Sequence, residues 1–358
     1  MNSGVIGTIQ YKISDHIVPA VNTTPDAIKI QHLLHHMLAH NLTHNIMEVS
    51  SHALDQFRVE GINFKTAVFT NLTHDHLDYH KSKEQYFAAK ASLFSGLAAS
   101  SAAIINSDDP YAQKLKQLTK AKIISYAIDD KNATLKAEDI VLGIDQTSFM
   151  LVCEQGRYPI QTSLIGKYNI YNLLAAIGAA REEGISIEKI AAALKTMGQV
   201  NGRLERLKTD KGFDVFVDYA HTDDALKNVL NALRELNPNR IITVFGCGGD
   251  RDKEKRFLMG RIASKLSDFL FITNDNPRTE EPLKIIEQIK TGFGLGFKAY
   301  EIVPERDQAI QKACRSAVKG DFVLIAGKGH ETYQIFKDKT IAFDDKKIVR
   351  KFLTENGQ

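Results

Sequence analysis

Five short apolar runs, Phe213–Val217, Arg240–Phe245, Phe269–Thr273, Ala299–Val303 and Phe322–Ala326, alternate with segments of helical spacing at Ala225–Leu236, Phe257–Leu266, Leu283–Ile289 and Ala309–Val318. Strand and helix in strict alternation build a parallel sheet with right-handed crossovers. Residues 203–358 are therefore expected to form an α/β domain of Rossmann-like type with a mostly parallel sheet. In such sheets the loops at strand exits hold small ligands. Four exits are polar here: Asp218-Tyr219-Ala220-His221, Gly246-Cys247-Gly248-Gly249-Asp250-Arg251, Asp275-Asn276-Pro277-Arg278 and Gly327-Lys328-Gly329-His330-Glu331.

The third exit carries the most chemistry. Pro277 fixes its own φ and restricts Asn276, which predicts a stiff loop. Arg278 presents a guanidinium fork that matches a carboxylate in two parallel hydrogen bonds. Thr279 then reads as a helix cap with Glu280 and Glu281 in the first turn. The same residues also fit an ordinary strand-to-helix turn with a solvated arginine. The exit at Gly246–Arg251 is glycine-rich but is not G-x-G-x-x-G, so a dinucleotide signal is weak. Its position nonetheless places Arg251, Arg278 and Glu331 at one edge of one sheet.

The N-terminal part is α/β but less regular. Ile46-Met47-Glu48-Val49, Ala67-Val68-Phe69-Thr70 and Ala102-Ala103-Ile104-Ile105-Asn106 read as buried strands, and Lys83–Leu97 as a helix. Residues 120–165 read as a small antiparallel β section, and Ile170–Glu183 and Ile187–Leu194 as Ala-rich helices. Glu48 precedes Ser50-Ser51-His52, the second strand leads into Asn71-Leu72-Thr73-His74-Asp75-His76-Leu77-Asp78, and Lys90 falls on the next helix. A carboxylate and an imidazole at adjacent strand ends can share a divalent cation, and oxygen-rich ligation favours Mg²⁺ or Mn²⁺ over zinc. The competing reading is a polar strand end with capping residues. His32, His35 and His36 fall on a predicted helix face and read as surface residues.

At 358 residues the chain has room for two domains. Gly198 and Gly202 interrupt the pattern near the join, which places the expected domains at 1–202 and 203–358. Arg203, just past that join, could neutralise a phosphate, and Asp218 and His221 a ribose or base; interdomain ion pairing and helix capping explain the same residues equally well. The composition, 43% hydrophobic and 25% charged, is that of a globular chain. A formal charge of +3 is too small to argue for nucleic acid or a membrane surface. Cys153, Cys247 and Cys314 lack zinc-like or C-x-x-C spacing, so a reducing cytoplasm is the expected compartment.

The ordered series Glu48–His52, Thr70–His80, Ala88–Phe94, Gly202-Arg203-Leu204-Glu205, Asp218–Thr222, Phe245–Asp252, Asp275–Pro282 and Ala326–Glu331 resembles the Mur ligases along essentially the whole chain. The resemblance implies a P-loop-type central ATPase domain followed by the Rossmann-like domain. It implies an ATP-dependent, amide-forming reaction of peptidoglycan synthesis. The γ-phosphoryl group passes to the D-Glu carboxylate of UDP-MurNAc-L-Ala-D-Glu, and the amine of meso-diaminopimelate attacks the resulting acyl phosphate. Three anionic groups must meet, so Mg²⁺ and cationic side chains carry the electrostatics.

Residue by residue, the resemblance puts Glu48 and His76 on Mg²⁺, with Lys90 carbamylated to support the metal. Lys90, His76 and Arg203 are the implied catalytic residues. Asn22, Thr23, Thr24, Ser50, Gln56 and Arg58 match positions that hold the UDP-muramoyl peptide. Asn169, Arg203, Asp218 and His221 match the nucleotide side. Arg251, Asp275, Asn276, Arg278, Gly327 and Glu331 match the diaminopimelate pocket, where the second carboxylate of that amino acid would pair with Arg278.

The family's G-x-x-G-K-[ST] loop does not occur in this sequence. Gly166-Lys167-Tyr168 and Gly327-Lys328-Gly329 are its Gly-Lys pairs, and neither continues with Ser or Thr. Met1–Thr8 resembles family sequence just after that loop. The expectation is a central domain truncated at its N-terminus, without the UDP-binding domain and P-loop, and with one exposed sheet edge. Without the P-loop lysine and N–H cradle the phosphates lose their main anchor. The expected chain is weakly active or inactive alone, with a separate polypeptide as one source of the absent parts. The alternative is a non-catalytic remnant that binds diaminopimelate or muramoyl peptide. An oxidoreductase is disfavoured by the missing dinucleotide motif. Asp223 and Tyr168 stand where the family often has Pro and Phe.

Overall fold

The computed structural model describes residues 2–73 and 76–355, so His74 and Asp75 of the histidine-rich loop lie outside the described residues, as do the side chains of Leu77 and Asp78. The chain divides into two compact units. The first is Met1–Ala137 with Val152–Gly156 and Tyr171–Ile187; the second is Glu138–Leu151 with Arg157–Ile170 and Glu188–Gln358. Three stretches before residue 203 thus group with the C-terminal residues.

In the first unit, β1 (Ser3–Ile6), β2 (Gln10–Ile13) and β3 (His16–Pro19) form an antiparallel meander. Asp26 then caps α1 (Ala27–Ala39) by accepting a hydrogen bond from the Lys29 N–H at 2.9 Å. That helix buries Ile30, Leu33 and Met37 and turns His32, His35 and His36 outward, as the sequence predicts. The chain returns as β4 (His44–Met47), parallel to β1, which gives the order β3-β2-β1-β4. Ser50 caps the short α2 (Ser51–Asp55).

β5 (Thr66–Phe69), α3 (Leu77–His80), α4 (Lys83–Ser95), β6 (Ala102–Asn106), α5 (Ala112–Leu118) and β7 (Lys122–Ala127) follow. The three strands pair in parallel, and β6 is buried at every residue because helices cover both of its faces. β8 (Leu135–Val141) adds to β7 in parallel. β9 (Thr147–Cys153) and β10 (Gly156–Thr162) complete the order β10-β9-β8-β7-β6-β5. The region 120–165, expected as a small antiparallel β section, instead joins the parallel sheet through β7 and β8. α6 (Lys167–Glu182) and α7 (Ile187–Thr196) are the two Ala-rich helices. Among the described residues β3 and β4 end one sheet and β5 and β10 end the other.

The second unit contains β11 (Glu205–Lys208), β12 (Asp214–Asp218), α8 (Asp223–Arg234), β13 (Ile241–Phe245), α9 (Glu254–Leu266) and β14 (Phe269–Ile272). It continues with α10 (Pro282–Lys290), β15 (Tyr300–Ile302), α11 (Arg306–Ser316), β16 (Phe322–Ala326), the hairpin β17 (Tyr333–Ile335) and β18 (Thr340–Ala342), and α12 (Asp345–Glu355). The sheet order is β11-β12-β16-β13-β14-β15, parallel except for β11. One face packs Phe216, Leu230, Phe245, Leu270 and Ile286; the other packs Val217, Val244, Phe271, Ile310, Val323 and Val349. Because β16 returns between β12 and β13, the exits of β12, β16, β13 and β14 stand side by side where the strand order reverses. Among the described residues no helix is long and apolar enough to cross a membrane.

Candidate active site

The exit of β14 is locked from three sides. Asp275 and Asn276 are buried. Asn276 donates through Nδ2 to Glu331 Oε2 (3.0 Å) and accepts at Oδ1 from Lys328 Nζ (3.0 Å) and the Ile335 N–H (3.0 Å). Lys328 is fully buried, reaches Glu331 Oε2 at 2.9 Å and lies 4.0 Å from Asp275 Oδ1. Gln334 donates to the Asp275 carbonyl at 2.7 Å. Arg278 has a left-handed φ of 51°, uncommon for a residue with a side chain, and its N–H donates to the Ile335 carbonyl. Its Nη1 donates to the Gly249 carbonyl at 2.7 Å, and the half-buried guanidinium keeps further N–H groups for a ligand.

Gly249 has a steric cause. A Cβ there would overlap the Pro277 carbonyl, while its N–H donates to the Asn276 carbonyl at 2.9 Å. The exits of β13 and β14 thus touch backbone to backbone. Arg251 is exposed, donates to the Asp250 carbonyl at 3.0 Å, and flanks Gly248 opposite Arg278. Gly327 adopts φ 114°, directly against the Asp275 carboxylate. Thr279 is not the helix cap that the sequence suggested. Its hydroxyl donates to Asp250 Oδ1 (2.7 Å), and α10 starts later, at Pro282. Glu280 is drawn instead into an ion pair with the fully buried Arg256 (2.8 Å), which holds its carboxyl down at about 2.

At the exit of β12, Asp218 accepts hydrogen bonds from the Leu204 N–H (2.6 Å) and the Ala220 N–H (2.7 Å). Burial raises its pKa to about 6, against the pull of those bonds and of Arg203. The Arg203 guanidinium lies over the Tyr219 ring at 5.1 Å, and Tyr219 also meets His221 and His330. His221 Nδ1 lies 2.9 Å from the Tyr219 carbonyl. Asn169 uses Nδ2 on the Ile165 carbonyl (2.8 Å). The Tyr168 hydroxyl is buried without a hydrogen-bond partner, and burial pushes its pKa well up. Gly202 and Gly329 meet with no room for a Cβ on either, which clamps the segment before Arg203 onto the turn that carries Lys328.

In the first unit, the residues expected to hold the muramoyl peptide converge on one network at the exit of β4. Thr24 donates through Oγ1 to the Glu48 carbonyl (2.8 Å) and accepts from the Ser50 N–H (3.0 Å). Arg58 donates to the Thr24 carbonyl (2.8 Å) and to Gln56 Oε1 (2.9 Å), and Gln56 donates to the Tyr79 hydroxyl. Thr23 pairs with Thr8, and the Asn22 carbonyl accepts from the Tyr11 hydroxyl at 2.5 Å. The exposed Glu48 carboxylate takes hydrogen bonds from the Thr8 N–H (3.1 Å) and hydroxyl (2.7 Å). His76 and Lys90 converge on the Tyr86 ring, at 6.0 and 5.2 Å, and His76 packs edge-on to His52 at 4.8 Å. Among the described residues no group of three or more His, Cys, Asp or Glu forms a metal-sized cluster.

Sequence reasoning missed Lys328, Tyr219, His80 and Tyr86 as parts of these sites. Lys328 had a signal, a lysine between two glycines at a strand exit. The rings of His80 and Tyr86, stacked at 5.3 Å, had none, since their meeting depends on how α3 and α4 pack.

The profile of the Mur ligase middle domain matches residues 1–180, and that of the Mur ligase glutamate ligase domain matches residues 202–329. The chain belongs to the Mur ligase family. Mur ligases are ATP-dependent, amide-bond-forming enzymes. A UDP-N-acetylmuramoyl-L-alanyl-D-glutamate–2,6-diaminopimelate ligase of Solibacter usitatus is 45% identical over 357 residues, covering 99% of this chain and 72% of the relative. A ligase of the same name, numbered 1, from Clostridium acetobutylicum is 46% identical over 354 residues, covering 98% and 72%. Among solved structures, one of a 2,6-diaminopimelate ligase superposes with TM-score 0.69 at 35% identity, covering 99% of this chain and 73% of that one. MurF of Acinetobacter baumannii, 14% identical, shares the fold with TM-score 0.71 over 93% of this chain and 69% of its own.

Proposed function

We propose that this Mur ligase chain carries the site chemistry for adding meso-diaminopimelate to UDP-MurNAc-L-Ala-D-Glu through an acyl phosphate, in the cytoplasm. The observation that carries the reading is the Asp275–Arg278 loop, held by Lys328 and Glu331 so that a half-buried guanidinium stands at the same strand exit as the buried Asp275. A planar fork at that position suits a second carboxylate. Lysine in place of the diacid leaves Arg278 without its partner, and that discrimination is large when a buried polar group goes unpaired. Asp275 and Glu331 face the amino group. Arg203, laid over Tyr219 beside Asp218 and His221, meets nucleotide phosphate. Thr24, Ser50, Gln56 and Arg58 hold the peptide. We place the domain division at 202/203.

Glu48 and His76 offer one carboxylate and one imidazole, a partial set that suits Mg²⁺, which keeps several waters and substrate oxygens. Carbamylation of Lys90 would add an anionic oxygen beside Tyr86. When bound, Mg²⁺ neutralises charge between phosphate and carboxylate. Because the sequence holds no G-x-x-G-K-[ST] motif, we expect this chain to turn over weakly or not at all by itself.

The test is calorimetric binding of meso-diaminopimelate and of lysine to the wild type and to Arg278→Ala and Arg278→Lys. Both variants should lose diaminopimelate affinity by at least about tenfold, as one charged hydrogen bond implies. Unchanged binding in both removes the role of Arg278. Phosphate release from ATP, muramoyl dipeptide and diaminopimelate should stay near background; a rate equal to that of an intact ligase overturns the expected weakness. Diaminopimelate binding without turnover is also what a non-catalytic remnant would show.

A further inference from the structure

The start of α11 borders a hollow of about 260 Å³ within the second unit, and neither Arg251 nor Arg278 lines it. Its wall is of two kinds. Pro304, Phe336, Ile341, Phe343 and Ile348 supply apolar surface, and Asn274, Glu305, Arg306 and Asp307 supply polar groups. Arg306 is 1% exposed. Its Nε (2.8 Å) and Nη2 (2.7 Å) hold the two oxygens of the buried Asp345, and Nη2 also reaches the Ala326 carbonyl (3.1 Å). Nη1 is buried with no hydrogen-bond partner. A buried donor without an acceptor is costly, so a nitrogen left in that state calls for an explanation.

A second observation is independent of the first. Glu305 stands at the N-cap of α11 without using its side chain as a cap, and the Ala309 N–H is the one that donates to the Glu305 carbonyl (2.9 Å). The N–H groups of the first turn have no partner within the helix. Arg306 and Asp307, which carry two of them, both line the hollow. Acceptors gather at the same place. Glu305 is exposed, Asp307 is half-buried, and Asp345 already balances the Arg306 charge. An anionic head would meet these donors together with two further acids. A neutral carbonyl oxygen accepts from the donors without that repulsion, and an amide N–H beside it can donate to an acid.

We propose that the hollow is a binding site for a small neutral amide with an apolar body, its carbonyl oxygen on Arg306 Nη1 and its N–H group toward Asp307. The volume sets the size. At about 30 Å³ for each water-sized unit the hollow holds roughly nine non-hydrogen atoms, below the range of drug-sized pockets. The inference does not rest on the substrates proposed above, and its test reads binding rather than turnover.

Benzamide, benzoate and toluene, which share one ring and differ in the head, are titrated into the full ¹⁵N-labelled chain and followed by amide NMR shifts. The expected result is saturable benzamide binding that shifts residues 306–308, Ile341 and Phe343, at least about tenfold tighter than either benzoate or toluene, as the loss of a hydrogen bond to a charged group implies. Ile341→Trp, which fills the hollow and leaves the Arg306–Asp345 pair in place, should abolish it. Val318→Trp, an exposed position just beyond the other end of α11, should not. If Ile341→Trp fails to fold, the ratio of benzamide to benzoate affinity in the wild type decides. Benzoate bound as tightly as benzamide overturns the neutral head, and toluene bound as tightly reduces the site to an apolar hollow and overturns it too. Shifts centred on Gly249 and Arg278 would place the amide at the β14 exit instead and overturn the proposal. So would the absence of saturable binding to the folded chain.

Discussion

Lys328 has no solvent to fall back on: its ammonium is fully buried among Asn276, Glu331 and Asp275. Lys328→Met should cost about 3 kcal/mol in a urea titration, because the buried Asp275 and the half-buried Glu331 would be left uncompensated. Glu280→Gln should destabilise by a similar amount, about 3 kcal/mol, through the stranded Arg256. Its folded pKa lies below the ordinary value of 4.5, so this stabilisation is present above 4.5 and fades as pH falls through about 2. Asp218 runs the other way. Its folded pKa, about 6, lies above the ordinary 3.8, so its contribution is complete below 3.8 and is lost as pH rises through about 6. Carboxyl carbon shifts should show a midpoint near that value, and a midpoint at the ordinary value would refute the burial argument. These individual groups were only partly legible. Asp218 and Glu331 announce themselves at strand exits, whereas the signal of Lys328, a lysine between Gly327 and Gly329, does not say that its ammonium turns inward.

Elements in the second unit were legible because their signal is local. Continuous apolar runs gave β12, β13, β14 and β16 to within a residue or two, since a strand buried on both faces carries few polar residues. β11 was not legible. It is an edge strand whose Arg206 is paired with Asp214 and Asp145, so it reads as charged loop. The start of α10 was misread because the Thr279 hydroxyl has a stronger partner in Asp250 than in its own helix. A cap does act at α8, where Thr222 Oγ1 accepts from the Ala225 N–H at 3.2 Å. Thr222→Ala should therefore lower stability by about 1 kcal/mol in chemical denaturation. Gly249→Ala should act differently, displacing the β14 exit with little change in helix content and abolishing the proposed diaminopimelate binding; retained binding would show that the loop can yield. In the first unit the exit of β4 was legible in Glu48 followed by Ser50-Ser51-His52, but the separation of β4 from β5 was not, because no local pattern records which strand is a neighbour.

At the scale of the whole molecule, the sequence yields its family because the motifs keep their order across almost the full length, and the two profiles cover residues 1–180 and 202–329. What lies between motifs is set by packing, and there the reading was weakest. The apposition of Gly202 and Gly329 has one consequence at this scale. Neither residue has a side chain that could rotate to absorb a displacement, so the stretch leading into Arg203 and the turn bearing Lys328 must shift as a unit. If the proposed amino acid binds at one end, its arrival would be felt at the other without any relay of rotamers, and the Tyr219 ring, in contact with Arg203 and His330, would report it.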